Sequence, residues 1–366
     1  MLPPRAASLS LCMIVKDEAD MLPGFLQSVQ GLWDQLVVVD TGSTDNSVAL
    51  LQAAGAQVMH QPWRHDFAWA RNHSLDAARG DWIIFLDPDE YVSPEFVAQA
   101  RALLDEAGIG AATVAMHNVR EDGHVQEAHL LRMFRRAPGV RFRHAIHEDV
   151  GETLLPYLRA SGQRAVHLRA PIIHHGYSKA LALARNKKQR DTAIITASLR
   201  QNPDDLYLHF KLLEQARFWA DAELARSAAP LALQAWNRVP DSGLNYWAGE
   251  LAVMLVDGLY PGQWEPALQQ LQALGARVPD SPAIAHRCGE LLELLARLDE
   301  AQAAFERALT LPGPAINTQL GNVRPRMGLV RIAIAKHDLE AARAHLQRAH
   351  QLAPQDPEVV FTQALL

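Results

Sequence analysis

Hydrophobic and polar positions follow two different rhythms along the chain, and the change falls near residue 175. Before it, short apolar runs rich in β-branched residues recur at Leu9–Val15, Leu36–Asp40, Ala56–His60 and Trp82–Leu86. Unbroken runs of this kind are strands buried on both faces of a parallel sheet, because a strand with one wet face would alternate. Between them, Ala19–Gln30, Asp45–Ala54 and Phe67–Ala78 space their apolar residues as helices do. The order predicts βαβαβαβ. After Asp87 the pattern gives a helix at Pro94–Ala107, a strand at Ala111–Asn118, a hairpin through Glu121-Asp122-Gly123 and a strand-like stretch at Arg132–Phe142. The sheet therefore changes character near Asp87.

Beyond residue 175 the chain is almost continuously helical and rich in Ala and Leu. Ala267, Leu271, Leu274 and Pro279 align on Ala301, Phe305, Ala308 and Gly313, each pair 34 residues apart, which is the tetratricopeptide period. Ala342, Leu346, Ala349 and Pro354 repeat the spacing after an insertion of about seven residues around Pro312-Gly313-Pro314, and Ala228, Ala232, Ala235 and Pro240 form a weaker earlier copy. Small residues at these positions let two helices approach closely, and the closing Pro ends the second. An Ala-rich bundle without repeats is the competing reading. The expected division is a catalytic domain at 1–178, a helical linker with the first weak repeat at 179–240, and repeats at 241–366.

Composition narrows the partners. At 366 residues and 49% hydrophobic, the chain has room for two domains or three small ones. Lys plus Arg number 35 against 41 Asp plus Glu, a net charge of −6, so the global field draws in neither nucleic acid nor anionic lipid. Cys12 and Cys288 sit far apart in apolar runs, without disulfide or metal spacing. Neither a signal peptide nor a membrane span is read from the sequence, and the expected location is the cytoplasm.

Two strand ends carry the chemistry. The apolar run Val37-Val38-Val39 ends on Asp40, followed by Thr41-Gly42-Ser43-Thr44-Asp45. Ligands of open parallel sheets sit beyond the carboxyl ends of the strands, where Asp40 can accept from a nucleobase N–H or a ribose hydroxyl. Ser43 or Thr44 is expected to cap the next helix, with Asp45 in its first turn. Trp82-Ile83-Ile84-Phe85-Leu86 runs into Asp87-Pro88-Asp89-Glu90. Carboxylates this close repel one another unless a cation is present, and hard oxygen donors on an extended strip suit Mg2+ or Mn2+. Glu90 reads as a solvated or capping group beside Ser93.

Taken together, Leu11-Cys12-Met13-Ile14-Val15-Lys16-Asp17-Glu18, Val39-Asp40-Thr41-Gly42-Ser43-Thr44-Asp45, Ala70-Arg71-Asn72 and Leu86-Asp87-Pro88-Asp89-Glu90 resemble the family 2 glycosyltransferases of the GT-A fold. Among them, the chain looks most like the bacterial branch that joins such a domain to tetratricopeptide repeats and includes peptide S-glycosyltransferases. The resemblance covers about residues 8 to 178 plus the repeats. It implies a Rossmann-like, mostly parallel sheet followed by an all-α domain, a nucleotide-sugar donor, most often a UDP-sugar, and a divalent cation. Carried over by position, Asp40 contacts uridine, Arg71 the base or ribose, Asp87 the ribose or sugar, and Asp89 the metal. Lys16 and Glu18 are donor contacts by the same resemblance, while Asp17 reads as a helix cap. The middle residue of the family's D-x-D strip is commonly small; here it is Pro88.

An inverting transfer needs a base on the face opposite the donor. His144-Ala145-Ile146-His147-Glu148-Asp149 resembles the branch's I-H-E element, which makes Glu148 the first choice and Asp149 the second; without the resemblance, a surface ion-pair cluster explains the segment equally well. Pro171-Ile172-Ile173-His174-His175-Gly176-Tyr177 matches the branch's I-x-H-x-G-Y element and offers His174 as a metal ligand. Lys179, Arg185, Asn186 and Lys187 read as a solvated helix face before a phosphate lid, and Trp63, Phe67 and Trp69 as core before crevice. The leading expectation is a metal-dependent inverting glycosyltransferase acting on a protein, peptide or glycan acceptor. In it, the repeats present the acceptor, bind a protein partner or form a homodimer. The runner-up is a repeat scaffold whose GT-A domain binds a nucleotide or sugar without transferring it. A nucleotidyltransferase lacks its Gly- and Lys-rich loop here, and the processive synthases' Q-x-x-R-W element is absent.

Overall fold

A computed structural model describes residues 6–119, 125–175, 187–245, 247–313 and 318–366. The chain divides into two compact units, Met1–Ile194 and Ile195–Leu366.

The first unit is built on β1 (Leu9–Val15), β2 (Gln35–Asp40), β3 (Gln57–His60), β4 (Trp82–Phe85), β5 (Glu90–Val92), β6 (Ile109–Val119), β7 (Val125–Arg135) and β8 (Arg164–His174). They form one sheet in the order β3-β2-β1-β4-β7-β6-β8-β5. The first four strands pair in parallel, while β7 joins β4 antiparallel, so the change of character falls beside Asp87 as the pattern implied. β6 pairs antiparallel with β7 and parallel with β8, and β8 antiparallel with β5, which makes the sheet mixed. The turn at 121–123 lies outside the described residues, although β6 and β7 pair up to Val119 and Val125. Arg132–Phe142 is strand only as far as Arg135.

The helices of this unit are α1 (Leu22–Ser28), α2 (Ser47–Ala53), α3 (Phe67–Ala77), α4 (Pro94–Leu103) and α5 (Gly151–Ser161). Alternation in β1 sorts the core into two layers. Leu9, Leu11, Met13 and Val15 face Leu22 and Phe25 of α1 and Phe96 of α4, whereas Cys12 faces Ala68 and Leu75 of α3 and Leu154 of α5. Burying both faces explains why the strand sequences do not alternate in polarity. The Cys12 thiol lies in the second layer, and burial pushes its pKa up to about 12, which makes it inert.

From α6 (Lys187–Gln201) the chain is helical: α7 (Leu206–Phe218), α8 (Ala222–Arg238), α9 (Ala248–Leu259), α10 (Trp264–Gly275), α11 (Pro282–Leu294), α12 (Leu298–Thr310), α13 (Val323–Ala335), α14 (Leu339–Leu352) and α15 (Pro357–Leu365). The repeated residues fall on the second helix of each successive pair. Ala228, Ala232 and Ala235 lie on α8, Ala267, Leu271 and Leu274 on α10, Ala301, Phe305 and Ala308 on α12, and Ala342, Leu346 and Ala349 on α14, all buried. The inserted residues fall between α12 and α13, where Thr318–Gly321 makes a short 3-10 turn. Among the described residues no helix is long and apolar enough to cross a membrane.

Candidate active site

Register brings the predicted residues to one edge of the sheet. Val15 pairs with Asp40, and Asp40 with His60, so the ends of β1, β2 and β3 coincide. Leu86, just past β4, donates its N–H to Cys12 of β1, which sets Asp87 on the same side. At the far end of the sheet, His174 pairs with Asn118 of β6 and Glu90 of β5.

Asp40 is buried, and its Oδ1 accepts the Ser43 N–H at 3.0 Å while Oδ2 lies 3.1 Å from Nδ1 of His60. Burial works against its charge, but the Ser43 hydroxyl and amide, His60 and the Gly42 amide together hold its pKa below the usual carboxylate range. Gly42 makes this turn possible with its φ of +112°. Of the residues after it, neither Ser43 nor Thr44 caps α2 and the N-cap Asn46 makes no side-chain bond, but Asp45 Oδ1 accepts the N–H of Ser47 at the start of the helix at 2.9 Å. The same segment pins the β1 loop: Asp17 N–H donates to Ser43 Oγ, Glu18 N–H to Ser47 Oγ and Ala19 N–H to Asp45 Oδ2. Asp17 caps no helix either; it sits at φ +52° and its carboxylate accepts the Thr44 N–H. This pinned loop also explains why α1 begins at Leu22 rather than Ala19. Lys16 is exposed there, and Glu18 is half-buried.

Arg71 projects from α3, whose N-cap Asp66 accepts the Trp69 N–H. Its side chain is 6% exposed, and it donates from Nη2 to both oxygens of Asp87 at 2.9 and 3.1 Å and from Nε to Oε1 of Glu148 at 2.5 Å. Burial disfavours the guanidinium charge, yet the two carboxylates raise its pKa. Arg71 thus ties the end of β4 to the loop before α5. Asp149, the other candidate base, is exposed; its backbone bridges Arg143, and no described group holds its carboxylate.

Asp89 and His174 form the second focus. His174 Nε2 is 3.4 Å from Asp89 Oδ2, and its Nδ1 is 2.8 Å from Asn118 Oδ1. Burial opposes both charges; even so the pair holds Asp89 low and His174 high, with Lys187 adding to the first and Glu90 and Asp87 to the second. Nδ1 donates to Asn118 Oδ1, which fixes the ring, and when the imidazole is protonated Nε2 faces Asp89 as a donor; loss of that proton would free Nε2 for a cation. No group of three His, Cys, Asp or Glu side chains converges as a metal cage among the described residues.

Sequence reasoning overlooked several members of this edge. Glu90 is neither solvated nor a cap: it is 3% exposed, ion-paired with Arg132, and accepts the Asp87 N–H at 3.0 Å. Burial first, then Asp87 and Asp89, push its pKa up to about 7 against the pull of Arg132. Ser93 caps α4, as read. Asn118, His60 and Arg132 carry no motif; only strand pairing reveals them. Trp63, Phe67 and Trp69 are half-buried, with Trp63 edge-on to Phe67 and Arg190 over the Phe67 ring. Lys179, Arg185 and Asn186 lie outside the described residues.

Residues 10–161 match the family model described as glycosyl transferase family 2. The first unit thus carries a glycosyltransferase family 2 domain of GT-A-like fold, and a helical repeat unit follows it. A TPR repeat-containing protein of Synechococcus elongatus is 38% identical over 208 residues, covering 56% of this chain and 51% of that one. The SPbeta prophage-derived glycosyltransferase SunS of Bacillus subtilis is 26% identical over 200 residues, covering 53% and 45%. The chain spans about half the length of these curated relatives. Among solved structures, glucosyl-3-phosphoglycerate synthase from Mycobacterium tuberculosis with Mn2+, UDP and glucosyl-3-phosphoglycerate aligns at a TM-score of 0.36 and 20% identity, over 52% of this chain and 78% of that one.

Proposed function

We propose that the chain transfers a sugar from a UDP-sugar to an acceptor with inversion, assisted by Mn2+ or Mg2+. The observation that carries this reading is the meeting of Asp89 and His174 beside Asp87 at the strand ends, where a carboxylate and an imidazole face each other. A carboxylate and an imidazole set by Asn118 fit a divalent cation whose remaining positions go to diphosphate oxygens. Such a cation, when bound, offsets the charge that gathers on the departing nucleoside diphosphate. Asp40 then accepts from the base, Asp87 from the ribose or sugar, and Lys16 and Glu18 flank the donor. Glu148, oriented through Arg71, takes the acceptor's proton, with Asp149 the reserve. The acceptor is a protein, peptide or glycan, and the helical repeats serve to present it or to recruit a partner.

The test is a binding panel of UDP-, GDP- and dTDP-sugars with and without Mn2+. UDP-sugars should bind only with the metal, and Asp89→Ala should abolish that binding while leaving the fold intact. Metal-independent binding, or an unchanged Asp89→Ala, removes the cation from the mechanism. Tight binding with no transfer to any acceptor or to water returns the scaffold reading.

A further inference from the structure

The loop that delivers Glu148 is held in an unfavourable conformation. His144 and His147 both lie in the left-handed region, at φ +68° and +54°, a placement that costs an L-residue of order 1 kcal/mol or more. His147 immediately precedes Glu148, so the left-handed residue aims the carboxylate. Such a backbone persists only where its surroundings over-determine it.

Most of the loop's described contacts come from one helix, with α5 adding Thr153 on Arg141 and Glu152 on His144. Along α3, the Phe67 N–H donates to the Ala145 carbonyl at 2.7 Å, Arg71 grips Glu148, and Asp76 pairs with Arg141. The Asn72 amide takes both backbone groups of Phe142: Nδ2 donates to its carbonyl at 3.1 Å, and Oδ1 accepts its N–H at 2.9 Å. One side chain thereby replaces a strand partner at the residue where the loop begins. One residue later Arg143 and Asp149 exchange backbone hydrogen bonds at 2.8 and 3.2 Å, which closes the loop with Glu148 inside it. Of the α3 contacts, the Arg141–Asp76 pair is exposed and weak, and Arg71 acts on Glu148 itself. Of the described α3 side chains, Asn72 alone reaches the backbone from which the loop departs; from α5, Thr153 Oγ1 accepts the Arg141 N–H at 2.9 Å and donates to the Arg141 carbonyl at 2.8 Å, one residue before Phe142.

We propose that Asn72 is a positioning residue for sugar transfer: it fixes Phe142, and through it the strained loop, so that Glu148 stands against Arg71. This rests on the assignment of Glu148 as base. Asn72 touches neither donor nor acceptor; it acts through the carboxylate.

Two readouts on the full chain test it. Hydrogen exchange needs no substrate. Asn72→Ala should raise exchange at the amides of 142–149 at least tenfold while β1, β2 and β4 stay protected; unchanged exchange there overturns the proposal. The kinetic readout follows release of the nucleoside diphosphate from the donor panel with Mn2+, water serving as acceptor. In that reaction the water oxygen bonds to the anomeric carbon, the bond from that carbon to the diphosphate oxygen breaks, and Glu148 takes the water proton. Asn72→Ala should lower kcat at least tenfold with donor KM within twofold, and Asn72→Asp, which keeps the acceptor for the Phe142 N–H, should recover part of the loss. In a Glu148→Gln background Asn72→Ala should cost nothing further; an equal additional loss overturns the proposal. Should Glu148→Gln turn over normally, the base assignment fails. Should it be slow while Asn72→Ala is normal, only the role of Asn72 fails.

Discussion

Among the described residues of the first unit, Asp87, Glu90 and Glu148 pair with the guanidiniums of Arg71 and Arg132, whereas Asp40 and Asp89 pair with the imidazoles of His60 and His174, Lys187 adding attraction on Asp89. The second unit treats its charges differently. There Arg287 joins Asp257 and Glu290, Arg331 joins Glu293 and Glu358, and Arg324 joins Glu358 and Asp356, so each of these five acids has a guanidinium partner. Burying acid in excess of base is costly and serves no packing purpose that an apolar side chain would not serve better. Among the described residues, each of these repeat-unit acids reaches a guanidinium, whereas Asp40 and Asp89 at the strand ends reach imidazoles.

The sharpest way to break this contrast is to remove one arginine from each unit. Arg71→Met removes a guanidinium that is 6% exposed and leaves Glu148, 13% exposed, without its cation; breaking a buried pair of this kind costs about 3–5 kcal/mol, Asp87, about a third exposed, adding less. Arg287→Met acts on partners that are more than a third exposed on Asp257 and about a third on Glu290, where loss of an ion pair costs about 1 kcal/mol or less. Urea unfolding of the two full-length variants measures both; equal losses would mean that the units do not differ.

What the sequence revealed and what it hid follow the same line. Strands and repeats were legible because burial imposes periods of its own: continuous apolar runs in β1, β2 and β4, and an Ala followed by apolar residues four and seven positions on in α8, α10, α12 and α14. The strand-end acids were legible too, since a carboxylate directly after a buried run needs a reason. Partners were not. Arg71 appeared as a donor contact, yet its guanidinium is buried between two carboxylates brought together from positions 87 and 148, a meeting that no local pattern encodes. Glu90 looked solvated because nothing nearby in sequence marks Arg132 as its neighbour. The expected cap failed at Ser43 and Thr44, where cross-loop bonds with Asp17 won over local capping, while Asp45 both reaches the Ala19 N–H and takes the Ser47 N–H at the start of α2.

Mn2+ with UDP provides the next test of the contrast. A ligand that binds only the folded edge adds about 2.7 kcal/mol of stability at a hundredfold excess over its Kd. The added protection against hydrogen exchange should appear at 86–92 and 172–175 and not at 248–310, and Asp89→Ala should erase it. Equal protection in both units would indicate nonspecific binding.

Packing supplies a smaller effect, confined to the repeats. The Phe305 ring of α12 fits between Gly289 of α11 and Gly328 of α13, and a Cβ added at either glycine meets ring carbons at 2.6 Å. Gly289→Ala should destabilise the full chain by about 1–3 kcal/mol, the usual cost of overpacking, although Ala is the better helix former. A neutral or stabilising result, read from the thermal midpoint, would mean that the Phe305 ring gives way.

The smallest effect concerns how each unit holds a carboxylate ionised. Glu290 is drawn down to about 2 against its burial, by His286 and then by the Arg287 guanidinium. Its folded pKa lies below its unfolded one, so its contribution is complete above about pH 4.5 and is lost as pH falls toward 2. Asp40 is also lowered, and its stability contribution also disappears on acidification, but its principal donors are the neutral hydroxyl and amide of Ser43. Salt distinguishes the two. Raising ionic strength from about 0.1 to 1 M shortens the screening length from about 10 to 3 Å, which weakens attraction between charges more than short neutral hydrogen bonds. Carboxyl carbon titrations by NMR at the two salt concentrations should therefore move the Glu290 midpoint upward and leave that of Asp40 nearly in place. If both midpoints shift together, the strand-end carboxylate depends on charged partners after all, and the two units hold their acids in the same way.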